Sequence, residues 1–132
     1  MNWQLTVAPM ASPGKKLAPA KPAYARRFPR FPIDARMHVR MFQGGEFHSC
    51  WGHSTELGQD GVGATLTGEL QKGEIVSVEI PLPLSPYPLK VRAIVRYRDG
   101  LRYGFEFLTL TESQRETIRR VCDMLAGKTN NQ

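Results

Sequence analysis

Three guanidiniums fall within five residues at Arg26-Arg27-Phe28-Pro29-Arg30. Pro29 lacks an N–H and biases Phe28 away from the helical region, so the segment reads as extended. In an extended chain Arg26 and Arg30 project on the same side, roughly 13 Å apart. Two planar forks that never lose their charge suit a ligand with several phosphates or guanine edges. The segment must be held by whatever folds behind it.

The charge distribution says where that fold begins. Residues 1–30 carry Lys15, Lys16, Lys21, Arg26, Arg27 and Arg30 and no acid, which accounts for the whole net charge of +6. The rest of the chain balances 12 basic against 12 acidic residues. A broad electropositive face for nucleic acid is therefore not expected, and the basic character belongs to an arm. Residues 8–23 form a Pro/Ala/Lys tract unable to bury a core, so residues 1–24 are read as a disordered tail. Trp3 and Leu5 are read as exposed, and Lys15-Lys16 as a solubilising pair.

From Ile33 the pattern has period two, with Ile33, Ala35, Met37, Val39 and Met41 on one face and Asp34, Arg36, His38 and Arg40 on the other. Gly44-Gly45 turns the chain into a second strand around residues 47–55. A third strand follows at Val62, Ala64 and Leu66, and a fourth over 75–80 ending at Pro81. After a loop with four prolines over 81–88, Val91, Ala93, Val95 and Tyr97 alternate with basic residues in a fifth strand. Asp99-Gly100 is a hairpin signal, and the return strand puts Leu101, Tyr103, Phe105 and Phe107 on one face. Thr111 and Gln114 form a capping box before the stripe Ile118, Val121, Cys122 and Leu125, with Gly127 expected to stop the helix. The sum is mainly β: six antiparallel strands in a small closed barrel over residues 25–127, with one C-terminal amphipathic helix docked on it.

Other constellations carry less. Cys50 and Cys122 are too few for a disulfide framework and read as reduced thiols, which points to the cytoplasm. No apolar run reaches the ~20 residues of a membrane helix, and residues 1–10 lack the basic start of a secretory signal. His48, Cys50 and His53 are potential ligands without a second cluster, so no metal is assigned. Arg92, Arg96 and Arg98 read as the wet face of a strand, or else as an extension of a ligand surface. No nucleophile–base pair, paired carboxylates or phosphate loop is evident, so a binding module is expected rather than an enzyme.

The arginine cluster leading straight into a strand resembles the R-x-x-x-R motif of PilZ domains. The resemblance covers most of residues 25–125. It extends to the loop Glu56-Leu57-Gly58-Gln59-Asp60-Gly61-Val62-Gly63, the strand end Val78-Glu79-Ile80-Pro81, and Tyr103-Gly104-Phe105-Glu106-Phe107 before the helix. It implies a six-stranded barrel that binds the bacterial second messenger cyclic di-GMP, with no cofactor. By the family pattern Arg26 and Arg30 would contact guanine and phosphate groups. The second motif, [D/N]-x-S-x-x-G, falls on Glu56, Gly58 and Gly61. Glu56 keeps a carboxylate on a longer side chain, Gly58 lacks the serine hydroxyl, and only Gly61 matches. A missing hydroxyl contact is worth about 0.5–1.5 kcal/mol. Asp60 takes no part unless the register shifts.

Two functions follow from the resemblance. One is a single-domain receptor in which the arm clamps cyclic di-GMP against the loop and passes the signal to an unidentified protein partner. The alternative is a ligand-blind adaptor acting by protein–protein contact, since the second motif is degenerate. Specific nucleic-acid binding ranks below both, and no membrane partner is expected.

Overall fold

A computed structural model of the chain describes residues 27–130; the tail expected over residues 1–24, and Arg26 with it, lie outside them. Six strands follow in order: β1 (Phe31–Gln43), β2 (Glu46–Gly58), β3 (Gly61–Leu66), β4 (Ile75–Ile80), β5 (Leu89–Asp99) and β6 (Arg102–Thr109). A single helix, α1 (Glu112–Asn130), comes last. The strands close into an antiparallel barrel in the order β1-β2-β3-β6-β5-β4. Closure pairs β1 with both β2 and β4, so among these strands no sheet edge is left open.

Side-chain alternation decides which residues fill the barrel. Met37, Val39 and Met41 of β1, Val62, Ala64 and Leu66 of β3, and Tyr103, Phe105 and Phe107 of β6 are all buried. The Tyr103 hydroxyl is satisfied inside the core: it accepts from the Leu70 N–H at 3.1 Å and donates to the Gly68 carbonyl at 3.1 Å. Both hairpin signals hold, with φ of 59° and 81° at Gly44 and Gly45 and of 65° at Gly100. The capping box is made in both directions, Thr111 N–H to Gln114 Oε1 at 3.0 Å and Gln114 N–H to Thr111 Oγ1 at 3.1 Å. Ile118, Val121 and Cys122 then pack into the core.

Three expectations need correction. Tyr97 does not continue the inward face of β5, because the β5–β6 register shifts between Val95 and Tyr97. That bulge turns its ring outward over Gly104, where an added Cβ would stand 2.8 Å from Tyr97 Cε1. Leu101 belongs to the turn and is exposed. The helix runs through Gly127 to Asn130, since Gly127 has no left-handed backbone to end it.

Candidate functional site

The β1–β2 register creates the site. Phe31 pairs with Leu57, and one step further along both chains Arg30 lies across Gly58. Gly58 and Gly61 flank the two-residue turn Gln59-Asp60 between β2 and β3. The turn is fastened from below by the Phe107 N–H, which donates to the Asp60 carbonyl at 2.9 Å. Irregular register between Pro32 and Ala35 and between Ser54 and Glu56 bends both strands just before they reach this end. Buried Ser54 stitches the bend, its Oγ accepting from Ala35 N–H at 3.0 Å and donating to Ala35 O at 3.2 Å.

Neither glycine is required for its φ; both permit close approach. A Cβ on Gly61 would stand 2.2 Å from the Phe105 carbonyl oxygen, which is backbone and cannot move aside. A Cβ on Gly58 would stand 2.6 Å from Arg30 Cδ and 2.8 Å from its Nε. The side chain of Arg30 therefore lies flat on Gly58, and only 7% of it is exposed.

Two carboxylates face the guanidinium. Arg30 Nη1 is 3.7 Å from Glu56 Oε2, and Nη2 is 3.6 Å from Asp60 Oδ1. These distances give charge pairing but not hydrogen bonds. Arg30 Nε and Asp60 Oδ1 are buried with no hydrogen-bond partner among the described residues. A buried charge held this loosely retains donors and acceptors for something else. The field of the cluster reaches the helix behind it. Burial, then the Asp123 carboxylate, pushes the Cys122 thiol up to about 11, opposed by Arg30 and reinforced by Asp60.

Of the residues expected to form the site, Arg30, Glu56, Gly58 and Gly61 come together at one end of the barrel, while Arg26 lies outside the described residues. Asp60 joins them without any register shift, because a two-residue turn points it back at Arg30. Its position in a loop between two glycines was the available signal. Cys122 had none, since only packing of the helix brings it near. The His48, Cys50 and His53 set does not gather; His53 Nδ1 lies 3.1 Å from Asp34 Oδ1, and no group of three potential metal ligands occurs among the described residues. The row of arginines on β5 also splits. Arg96 pairs with Glu106 at 2.5 Å, and Arg98 reaches Glu69 at 3.4 Å and the Leu70 carbonyl at 3.2 Å.

No helix among the described residues is long and apolar enough to cross a membrane. No curated protein matches the chain. Solved structures do match. The PilZ domain with c-di-GMP of YcgR from Escherichia coli aligns at 18% identity with a TM-score of 0.61, covering 82% of this chain and 96% of that one. The Bacillus subtilis inhibitor of motility MotI/DgrA aligns at 14% identity with a TM-score of 0.62 over 83% of this chain, which spans about half (53%) of that protein. The MrkH–c-di-GMP complex of K. pneumonia aligns at 13% identity with a TM-score of 0.59, over 83% of this chain and 56% of that one. At these identities the likeness concerns the fold. The PilZ domain family model matches residues 24–123, a span holding the six strands, the Arg30–Glu56–Asp60 cluster and most of the helix, and on that match the chain belongs to the PilZ domain family.

Proposed function

We propose that this PilZ domain is a receptor for cyclic di-GMP that signals to a protein partner, with Arg26, Arg30, Glu56, Gly58 and Gly61 forming the binding site. One observation carries the reading: Arg30, from the first motif, lies on Gly58 within 3.7 Å of Glu56 and 3.6 Å of Asp60. The two half-motifs share one surface. The guanidinium has an unused Nε and two weakly held Nη groups, suited to phosphate oxygens or the O6/N7 edge of guanine. The Glu56 carboxylate is the acceptor for guanine N1–H and N2–H. Two structural relatives are solved with c-di-GMP, which supports the ligand class.

In this mechanism the ligand draws Arg30 away from its carboxylates, and the arm carrying Arg26 closes over it. Ordering the arm costs conformational entropy and supplies a changed surface for the partner to read. Calorimetric titration of the full chain with cyclic di-GMP, with GTP as control, tests this. Saturable heats for cyclic di-GMP that vanish in an Arg26→Ala, Arg30→Ala double variant are expected. Unaltered affinity in that variant would refute the site.

The ligand-blind adaptor is favoured by a different observation. The family's serine position is Gly58, and Arg30 occupies the space a side chain there would need. An arginine already neutralised by its own loop offers less to a ligand. Flat heats at high micromolar cyclic di-GMP decide for this reading.

A further inference from the structure

Away from the Arg30 site, the outward faces of β1, β2, β4 and β5 form one continuous trough. Its central hollow, about 260 Å³, is lined by His38, Arg40, Ser77, Glu79, Lys90 and Arg92. A neighbouring hollow of about 220 Å³ shares Arg40, Ser77 and Arg92 and adds Phe42, Phe47 and Ile75. On the other side, about 290 Å³ is lined by Arg36, His38, Trp51, Glu79 and two prolines. Four exposed apolar side chains line it: Phe47 is 70% exposed, Phe42 59%, and Trp51 and Ile75 48% each. Arg36, Arg40, Lys90 and Arg92 face the same trough as one carboxylate, Glu79.

The register gives this surface a spacing. His38 pairs with Trp51, Arg40 with Ser49, and Phe42 with Phe47. The aromatic positions Trp51 and Phe47 are thus four residues apart on β2, roughly 13 Å, with Arg40 level with the midpoint. The arginines are already ordered by the rings: Arg36 Cζ lies 4.2 Å from the Trp51 centroid, and Arg40 Cζ lies 5.4 Å from that of Phe47. Tryptophan, aromatic and arginine side chains in combination dominate the energetics of protein interfaces.

We propose that this trough docks an extended acidic segment of a partner protein, with apolar side chains four residues apart and a carboxylate between them. The apolar pair seats against Trp51 and Phe47, and the carboxylate meets Arg40 and Arg92, which flank Ser77 across β1, β4 and β5. Charge complementarity selects the partner's sign, because residues 31–132 as a whole balance 12 basic against 12 acidic residues while the trough gathers cations. Protein is selected over single-stranded nucleic acid by two features. The Trp51 and Phe47 rings each already engage a guanidinium, and Phe42 meets Phe47 edge-on, rather than presenting free stacking platforms. Glu79 also stands in the central hollow, where it opposes a continuous run of phosphates more than a single carboxylate set over Arg40 and Arg92. The inference is independent of what binds Arg30.

The probe is a synthetic peptide repeating Phe-Ser-Asp-Ser, titrated into the full chain carrying Trp3→Phe so that Trp51 alone reports by fluorescence. Saturation at or below millimolar peptide is expected, weakening tenfold or more in an Arg40→Glu, Arg92→Glu variant. Both positions are exposed, and an unchanged circular dichroism spectrum and melting temperature confirm that the variant folds. No saturation by millimolar peptide, equal binding of a peptide with Lys in place of Asp, or undiminished binding by the variant would each overturn the proposal. So would tighter binding of oligothymidylate than of the peptide, which would make the trough a nucleic-acid groove.

Discussion

Arg30 and Arg40 are carried by the same run of chain, yet they meet opposite surroundings. Arg30 lies flat on Gly58, almost wholly buried, with Glu56 and Asp60 3.7 and 3.6 Å away. Arg40 is exposed and lies over the Phe47 ring, as Arg36 does over Trp51. Carboxylates neutralise a guanidinium and compete with any anionic ligand. An aromatic face orients the guanidinium but leaves its N–H edge and its charge available. The guanidinium of Arg30 is thus already paired within its own loop, whereas that of Arg40 keeps its N–H edge towards solvent.

The largest effect is expected at Gly61. An alanine there would drive its Cβ into the Phe105 carbonyl, so Gly61→Ala is expected to cost about 2–3 kcal/mol in urea unfolding, the cost of overpacking where backbone cannot relax. Stability within 0.5 kcal/mol of the parent would show that the loop is looser than the site requires. Gly127→Ala is the internal control, since a Cβ there meets nothing and alanine favours the helix by up to about 1 kcal/mol.

Gly58→Ser alters only the buried arginine's surroundings. Its Cβ would stand 2.6 and 2.8 Å from Arg30 Cδ and Nε and 3.1 Å from the Pro29 carbonyl oxygen. The arginine side chain must then move off its carboxylates, and the backbone before it must yield by a few tenths of an ångström. The expected result is a rise in cyclic di-GMP affinity of up to about tenfold, from the restored hydroxyl and the released arginine. A fall in affinity, measured by the same calorimetry, would show that Gly58 serves as the cradle for Arg30 in the bound state as well.

The smallest effect concerns Cys122. Its thiol is raised from 9.0 to about 11, so the folded state holds the proton more tightly than the unfolded one. The resulting stability is complete below about pH 9 and is lost as pH rises towards 11. At pH 10 the loss is about 1 kcal/mol relative to a Cys122→Val variant, measured as the difference between their unfolding curves. Equal slopes with pH would show that the thiol is not buried against the site.

The strand alternation from Ile33 to Met41, the two glycine hairpins and the Thr111–Gln114 box were legible because each is local: a period of two, a positive φ, a side chain reaching three residues along. The halves of the Arg30 site were legible only through the resemblance to PilZ motifs. The bulge that turns Tyr97 outward was not, because two strands slip relative to each other there and neither alone carries the signal. Asp60 was visible as a loop acid, but its aim at Arg30 depends on how tightly Gly58 and Gly61 close the turn.

By itself, the sequence determined a neutral β-barrel behind a basic arm, a capped helix, and an arginine motif matched to a glycine loop. The barrel, the arm and the capped helix follow from spacing and side-chain type over a few residues, while the match of the arginine motif to the glycine loop came only from the resemblance to PilZ domains. Only the tertiary structure decided that Arg30 is held by its own carboxylates, and that β4 and β5 stand beside β1 and β2 so that Arg40 and Arg92 face one trough. Barrel closure sets both, because it joins strands distant in sequence and fixes which outward side chains become neighbours.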